Sequence, residues 1–284
     1  MTASAPPTVG FRLPHPELRP YVTSYYFADS AGPLHDNLHP EWGNVRFVLR
    51  GDWRIEKAQR MTPAPVSALY GPTDRTARFT TATGALLGIG LTPLGWVRMI
   101  RSDASRLANA MVPLGNNLGG AGDELARALA IDTDAQSRAD MLNATLLARL
   151  ATAPVDDAGV IAVQDALLDD TIADVRGLAL RVAFAERTLH RLCLRAFGFG
   201  PKRLLRRQRF LRTLSKIRDR LDRPLIGLLY DGYCDQAHFR RDFQSCMGMS
   251  PTAYFGSPRE VMRRAAQERA RVVGAPLQGL HRKA

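Results

Sequence analysis

Only three cysteines occur in the chain, Cys193, Cys234 and Cys246, and no two of them form a CxxC pair. That excludes a disulfide-stapled scaffold and a thiolate metal cluster, and it fits a reducing compartment. Long apolar runs are also missing. The stretch Ala85 to Leu94 is short and broken by Gly and Pro, and the start of the chain lacks a basic patch followed by an apolar segment. No membrane span or secretory leader is therefore expected, and the cytoplasm is the natural location. Nor is there a phosphate loop, a paired nucleophile and base, or a carboxylate pair in a convincing context. The chain is not expected to be an enzyme, and no cofactor or bound metal is called for. Aromatic residues make up 7% of it, against 45% hydrophobic and 23% charged residues, a balance that excludes fibrous and disordered classes.

Basic charge is abundant, and it is unevenly spread. The formal net charge is +12 over 284 residues. From Thr171 onward there are 24 Lys and Arg against 9 Asp and Glu, and before it 15 against 18, so the excess lies wholly in the C-terminal part. A near-neutral region joined to a basic one suits a nucleic-acid reader with a partner domain, because Lys and Arg supply the affinity for phosphate. The length allows two compact domains. Residues 1–105 carry Pro, Gly, Thr and β-branched residues, and Tyr21 to Phe27, Asn44 to Leu49 and Leu86 to Leu91 read as strands. A small β sandwich or barrel is expected there. From about Asp123 helices take over, with Glu124 to Leu129 and Ala139 to Ala151 at helical spacing. The predicted division is a domain at 1–150, a linker at 151–159 (Ala-Thr-Ala-Pro-Val-Asp-Asp-Ala-Gly), a basic domain at 160–258, and a solvated basic tail at 259–284.

Two segments about 50 residues apart share one plan: an apolar helix, a sharp turn, then a basic helix. In the first, Ile172 to Val182 precedes a helix from Glu186 to Phe197. Leu189, Leu192, Cys193 and Phe197 fall inward on that helix, while Arg187, His190, Arg191 and Arg195 point away. In the second, Pro224 starts a helix whose apolar face is Leu225 to Tyr230, and Gly232 permits the turn. Asp235 then caps a helix from Gln236 to about Met247, with Phe239 and Phe243 inward and Gln236, His238, Arg240 and Arg241 near its exposed start. Gln suits adenine and Arg suits guanine in the major groove. Between the two segments, Pro201 to Leu221 reads as one helix about 30 Å long, close to the ~34 Å turn of B-DNA.

The strings RTLHRLCLRAFGFGPKRLLRRQR and GYCDQAHFRRDFQSCMGMSP, in this order and spacing, resemble the DNA-binding domain of the AraC family of transcription regulators over about Val160 to Phe255. The resemblance implies two helix-turn-helix units joined by a long helix. It also implies that Arg187, His190 and Arg191 of one unit, and Gln236, His238, Arg240 and Arg241 of the other, face double-stranded DNA. Four positions depart from the pattern. Ala183 and Ala185 stand where the family has a turn Gly and a capping Ser or Thr, Cys193 replaces a core Phe, and near Asp231 either an apolar residue is replaced or the helix is one residue short. Residues 10–105 resemble, more loosely, the cupin-like N-terminal domain of such regulators, through LRPYVTSYYF, LYGPTDRTARF and GIGLTPLGWVRMI. That likeness implies a sensor for a small-molecule effector or a homodimer contact, and the family also implies contact with RNA polymerase. The fold class expected is α+β, a cupin-like β barrel or sandwich and then an all-α domain. The competing reading is a metal-dependent cupin enzyme fused to a DNA-binding module, built on His35, His39 and Glu41, whose spacing suits three metal ligands but lacks a later His.

Overall fold

Apolar side chains at every second position build the first third of the chain into strands, all paired antiparallel. A computed structural model describes residues 6–57, 59–120, 122–218, 233 and 235–281. Its strands are β1 (Thr8–Arg12), β2 (Val22–Ser30), β3 (Leu34–Leu38), β4 (Asn44–Gly51), β5 (Arg54–Lys57), β6 (Arg60–Pro63), β7 (Ser67–Tyr70), β8 (Ala77–Thr81), β9 (Gly84–Leu91) and β10 (Met111–Pro113). They form one sheet in the order β1-β2-β9-β4-β7-β10 and another in the order β3-β8-β5-β6. The three strands expected from the pattern are all present. In β4 and β9 the period of two sorts the faces: Val45, Phe47, Leu87, Ile89 and Leu91 pack among helices, whereas Asn44, Arg46, Leu86 and Gly90 line a cavity between the sheets. Gly88 is required by close approach, because a Cβ there would lie 2.1 Å from the Tyr26 ring.

Helices follow, several of them started by a side chain that takes up the free amides of the first turn. They are α1 (Pro93–Gly95), α2 (Gly122–Ile131), α3 (Ala135–Ala151), α4 (Ala158–Ala166), α5 (Val175–Arg181), α6 (Glu186–Phe197), α7 (Pro201–Arg218), α8 (Gln236–Met247), α9 (Pro251–Gly256) and α10 (Glu260–Val273). Asp134, Asp157, Asp174 and Asp235 cap α3, α4, α5 and α8 through their carboxylates. The cap at Asp174 makes α5 shorter than the expected helix, since Ile172 precedes it. Asp165 lies in α4 and Ser250 caps the short α9, two helices that the sequence pattern did not announce. No helix among the described residues is long and apolar enough to cross a membrane.

One hydrophobic core runs from Leu18 and Trp42 in the sandwich, through Leu146 and Val163, to Phe197 and Leu205 in the helical part. Residues 151–159 therefore join two regions that share a core. Asp156 accepts from the Tyr21 hydroxyl at 2.9 Å and pairs with Arg98, and Arg101 donates to the Thr152 carbonyl at 2.6 Å. A second core gathers Phe210 and Leu214 of α7 with Phe243, Tyr254 and Leu277.

Of the basic stretch 259–284, expected as a solvated tail, the described residues 259–281 are instead largely structured and docked. Val261, Met262, Ala265, Ala266 and Arg269 lie along one stripe of α10, and the helix packs on β1, β2 and β3. The Asp36 carboxylate accepts from the Met262 amide at 2.9 Å, so β3 supplies the anion that the helix start needs. The remaining arginines occupy the other face, which is why charge counting hid the stripe.

Candidate nucleic-acid interface

The first recognition helix is shaped by its buried side. Leu189, Cys193, Ala196 and Phe197 are buried, and Arg187, His190 and Arg191 are exposed. Neither Arg187 nor Arg191 pairs with a carboxylate among the described residues, so both guanidiniums are available to phosphate or base edges. Arg195, also exposed, is held by Asp157 at 2.5 Å. Burial pushes the Cys193 thiol up to about 12, so this cysteine acts as the small apolar filler that replaces a larger side chain. The helix ends at Gly198 in the left-handed region, φ +81°, where a Cβ would meet Pro72 of the sandwich at 2.6 Å.

The turn before α6 carries strain. Ala183 has φ +55°, and Ala185 caps α6 with no side-chain bond. A Cβ in the left-handed region costs roughly 1–2 kcal/mol, part of which is offset by the greater freedom of Gly in the unfolded chain. Ala183→Gly is therefore expected to raise stability by about 1 kcal/mol and the melting temperature by about 2–4 °C. A thermal scan of the two proteins checks this, and an unchanged or lower midpoint contradicts the strained turn.

The second recognition helix has its cap as expected: the Asp235 carboxylate accepts from the His238 amide at 2.6 Å. Phe239 and Phe243 are buried, and their rings meet edge to face at 5.5 Å. Arg240 and Arg241 are exposed, and Gln236 is half-buried. His238 differs from the other candidates because its ring packs against Tyr233 at 5.0 Å and lies 3.3 Å from an Arg209 nitrogen. Arg209 in turn pairs with Asp242 at 2.8 Å, which ties α7 to α8. The expected helix from Pro224 to Tyr230, its turn at Asp231 and Gly232, and Leu221 and Cys234 lie outside the described residues.

Helix α7 also clamps the helical region onto the sandwich, through residues that the apolar stripe did not single out. Arg207 is 1% exposed, its guanidinium sits 3.4 Å from the centre of the Trp42 ring, and it donates to the carbonyls of Thr73 (3.1 Å) and Glu41 (3.3 Å). Burial lowers its pKa to about 9. Arg203 pairs with Asp74 at 2.5 Å, and the Thr76 amide donates to the Cys246 carbonyl at 2.6 Å.

A cavity of about 140 Å³ lies between the two sheets, bordered also by α10 and Pro276 to Gln278. Arg46 donates to the Tyr26 hydroxyl at 2.7 Å, pairs with Glu41, and lies 4.3 Å over the Tyr70 ring. Burial alone would lower its pKa, but Glu41 and the two tyrosines outweigh that and hold it firmly charged. His35, His39 and Glu41 do not converge. His35 is exposed on β3, a ring nitrogen of His39 lies 2.6 Å from the Tyr254 hydroxyl, and Glu41 faces Arg46. Among the described residues no group of three His, Cys, Asp or Glu side chains is placed to hold a metal ion.

Residues 178–271, which span α5 to α10, match the family model of a helix-turn-helix domain. No curated protein matches the chain. Among solved structures, ToxT from Vibrio cholerae is 8% identical with a TM-score of 0.45, covering 88% of this chain and 97% of its own. An unsaturated-fatty-acid-bound ToxT from strain SCE256 is 10% identical with a TM-score of 0.44, over 89% of this chain and 96% of its own. The AraC-like transcriptional activator CuxR is 14% identical with a TM-score of 0.27, over 73% and 87%. Likeness at that level carries no functional argument, and the assignment rests on the matched segment and on two exposed basic helices flanking a long one. Residues 178–271 form a helix-turn-helix domain, the DNA-binding part of the chain.

Proposed function

We propose that the protein reads a specific operator by laying α6 and α8 in successive major grooves, and that a small molecule in the sandwich cavity modulates this binding. The observation that carries the first part is that each of these helices presents two arginines with no ion-pair partner among the described residues. Arg187 and Arg191 on α6, and Arg240 and Arg241 on α8, are exposed on helices whose other faces are buried. Helix α7 has 18 residues from Pro201 to Arg218, about 27 Å, which suits a spacing of roughly one duplex turn. The second part rests on the cavity sharing walls with α10, which follows the helix-turn-helix units in the chain. In this reading the chain is not an enzyme. The contacts with a second copy and with RNA polymerase stay as proposals from the family resemblance.

Selection of bound fragments from a genomic library at fixed salt tests the DNA reading. Two short conserved blocks with centres about 10–10.5 base pairs apart are the expected result. Fragments with no shared block, bound equally well at one salt concentration, would instead mark a coating protein that grips phosphate alone.

A further inference from the structure

The sandwich cavity has an apolar body and one charged corner. Phe11, Phe27, Trp53, Ile55 and Phe79 supply much of the body, and Arg46, Arg269, Glu41 and Tyr26 are among the polar groups that line it. Arg46 and Arg269 are each 5% exposed. Arg269 donates from Nη1 to the Ala275 carbonyl at 2.7 Å, while its Nη2 has no acceptor, and Nη1 of Arg46 likewise has none. Arg54 also borders the cavity but is exposed and donates to the Met61 carbonyl.

Two buried guanidiniums face one carboxylate, so a single positive charge stays uncompensated where water is scarce. Buried charges are ordinarily paired, and buried donors ordinarily find acceptors. A ligand that repairs both deficits carries one negative charge and two acceptor oxygens. A dianionic phosphate would overshoot the charge and would bring a strongly hydrated group against apolar walls. A volume of 140 Å³ has room for about ten non-hydrogen atoms. We infer that the cavity binds an amphipathic monocarboxylate of about that size, its carboxylate bridging Arg46 of β4 and Arg269 of α10 and its body among Phe11, Phe27, Trp53 and Phe79.

Such a ligand ties the sandwich to the helix that ends the helix-turn-helix match, beside the contact between His39 and Tyr254 of α9. The inference names the ligand class for the regulatory cavity proposed above and rests on that reading. Calorimetric titration of the full chain with phenylacetate (aryl body), octanoate (alkyl body) and neutral phenylacetamide tests it. At least one acid is expected to bind at one site per chain, and phenylacetamide about tenfold or more weaker than phenylacetate. Arg269→Gln is expected to weaken the acid about tenfold and to leave the amide unaffected, and Arg269→Lys to recover part of the loss. The comparison of acid with amide needs no variant, so it holds even if Arg269→Gln does not fold. Equal binding of acid and amide, or no binding by any of the three at millimolar concentration, overturns the anion site. If the amide binds equally and still shifts operator affinity, the cavity is an effector site of different chemistry. If an acid binds in the expected way without moving operator affinity, the anion site stands and the regulatory reading falls.

Discussion

Arg191→Ala and Arg241→Ala are each expected to weaken operator binding by about 1–3 kcal/mol, roughly tenfold to a hundredfold, and to relax the preference at one base pair. Both side chains are exposed and belong to helices whose opposite faces are buried under Leu189, Phe197, Phe239 and Phe243, so their loss leaves the fold intact. The useful contrast is Arg195→Ala. That guanidinium is engaged by Asp157 at 2.5 Å, and its removal is expected to cost less affinity than either of the other two. Fluorescence anisotropy with the operator and with scrambled DNA, at several salt concentrations, separates two roles. A base-reading arginine changes the ratio between the two DNAs, whereas a phosphate contact weakens both equally and lowers the salt slope by about 1. Equal weakening on all sequences by both variants would remove base reading by these residues and leave backbone binding.

Arg207→Ala is expected to destabilise the protein by about 3–5 kcal/mol, and Arg207→Met by clearly less. Arg207 fills the joint between α7 and the sandwich. Its stem and planar head are enclosed, Trp42 lies beneath the guanidinium, and the carbonyls of Glu41 and Thr73 accept from it. Alanine leaves a void beside Trp42 and two carbonyls without their donor. Methionine fills the void and removes a buried cation whose pKa burial has already lowered to about 9, so it loses the hydrogen bonds and the cation-π contact with Trp42 but keeps the packing. Urea unfolding of the three proteins measures both effects. If alanine and methionine cost the same, packing at this joint is not what Arg207 provides.

Helices α5, α6 and α8 were legible because local rules act on neighbouring residues. Leu189, Cys193 and Phe197 fall on one face by helical periodicity, Asp235 caps the turn that follows it, and Gly248 ends α8 in the left-handed region. The strain at Ala183 could be foreseen as a missing glycine, but its φ of +55° needed the backbone. Arg207 was not distinguishable from Arg206 or Arg209 in a run of basic residues, since burial depends on what lies opposite. His238 looked like a groove residue by position, and only the folded chain shows its ring against Tyr233 and Arg209.

By itself, then, the sequence determined the strand character of β2, β4 and β9, the change to helices after them, and the basic outer faces of α6 and α8, because each follows from spacing of a few residues. Tertiary structure alone decided that 259–281 is docked, that Arg46 and Arg269, more than 200 positions apart, line one cavity, and that the sandwich and the helices share a core. Those features arise from contacts between distant segments, and the cost of bringing such segments together is met by packing that no short stretch of sequence contains.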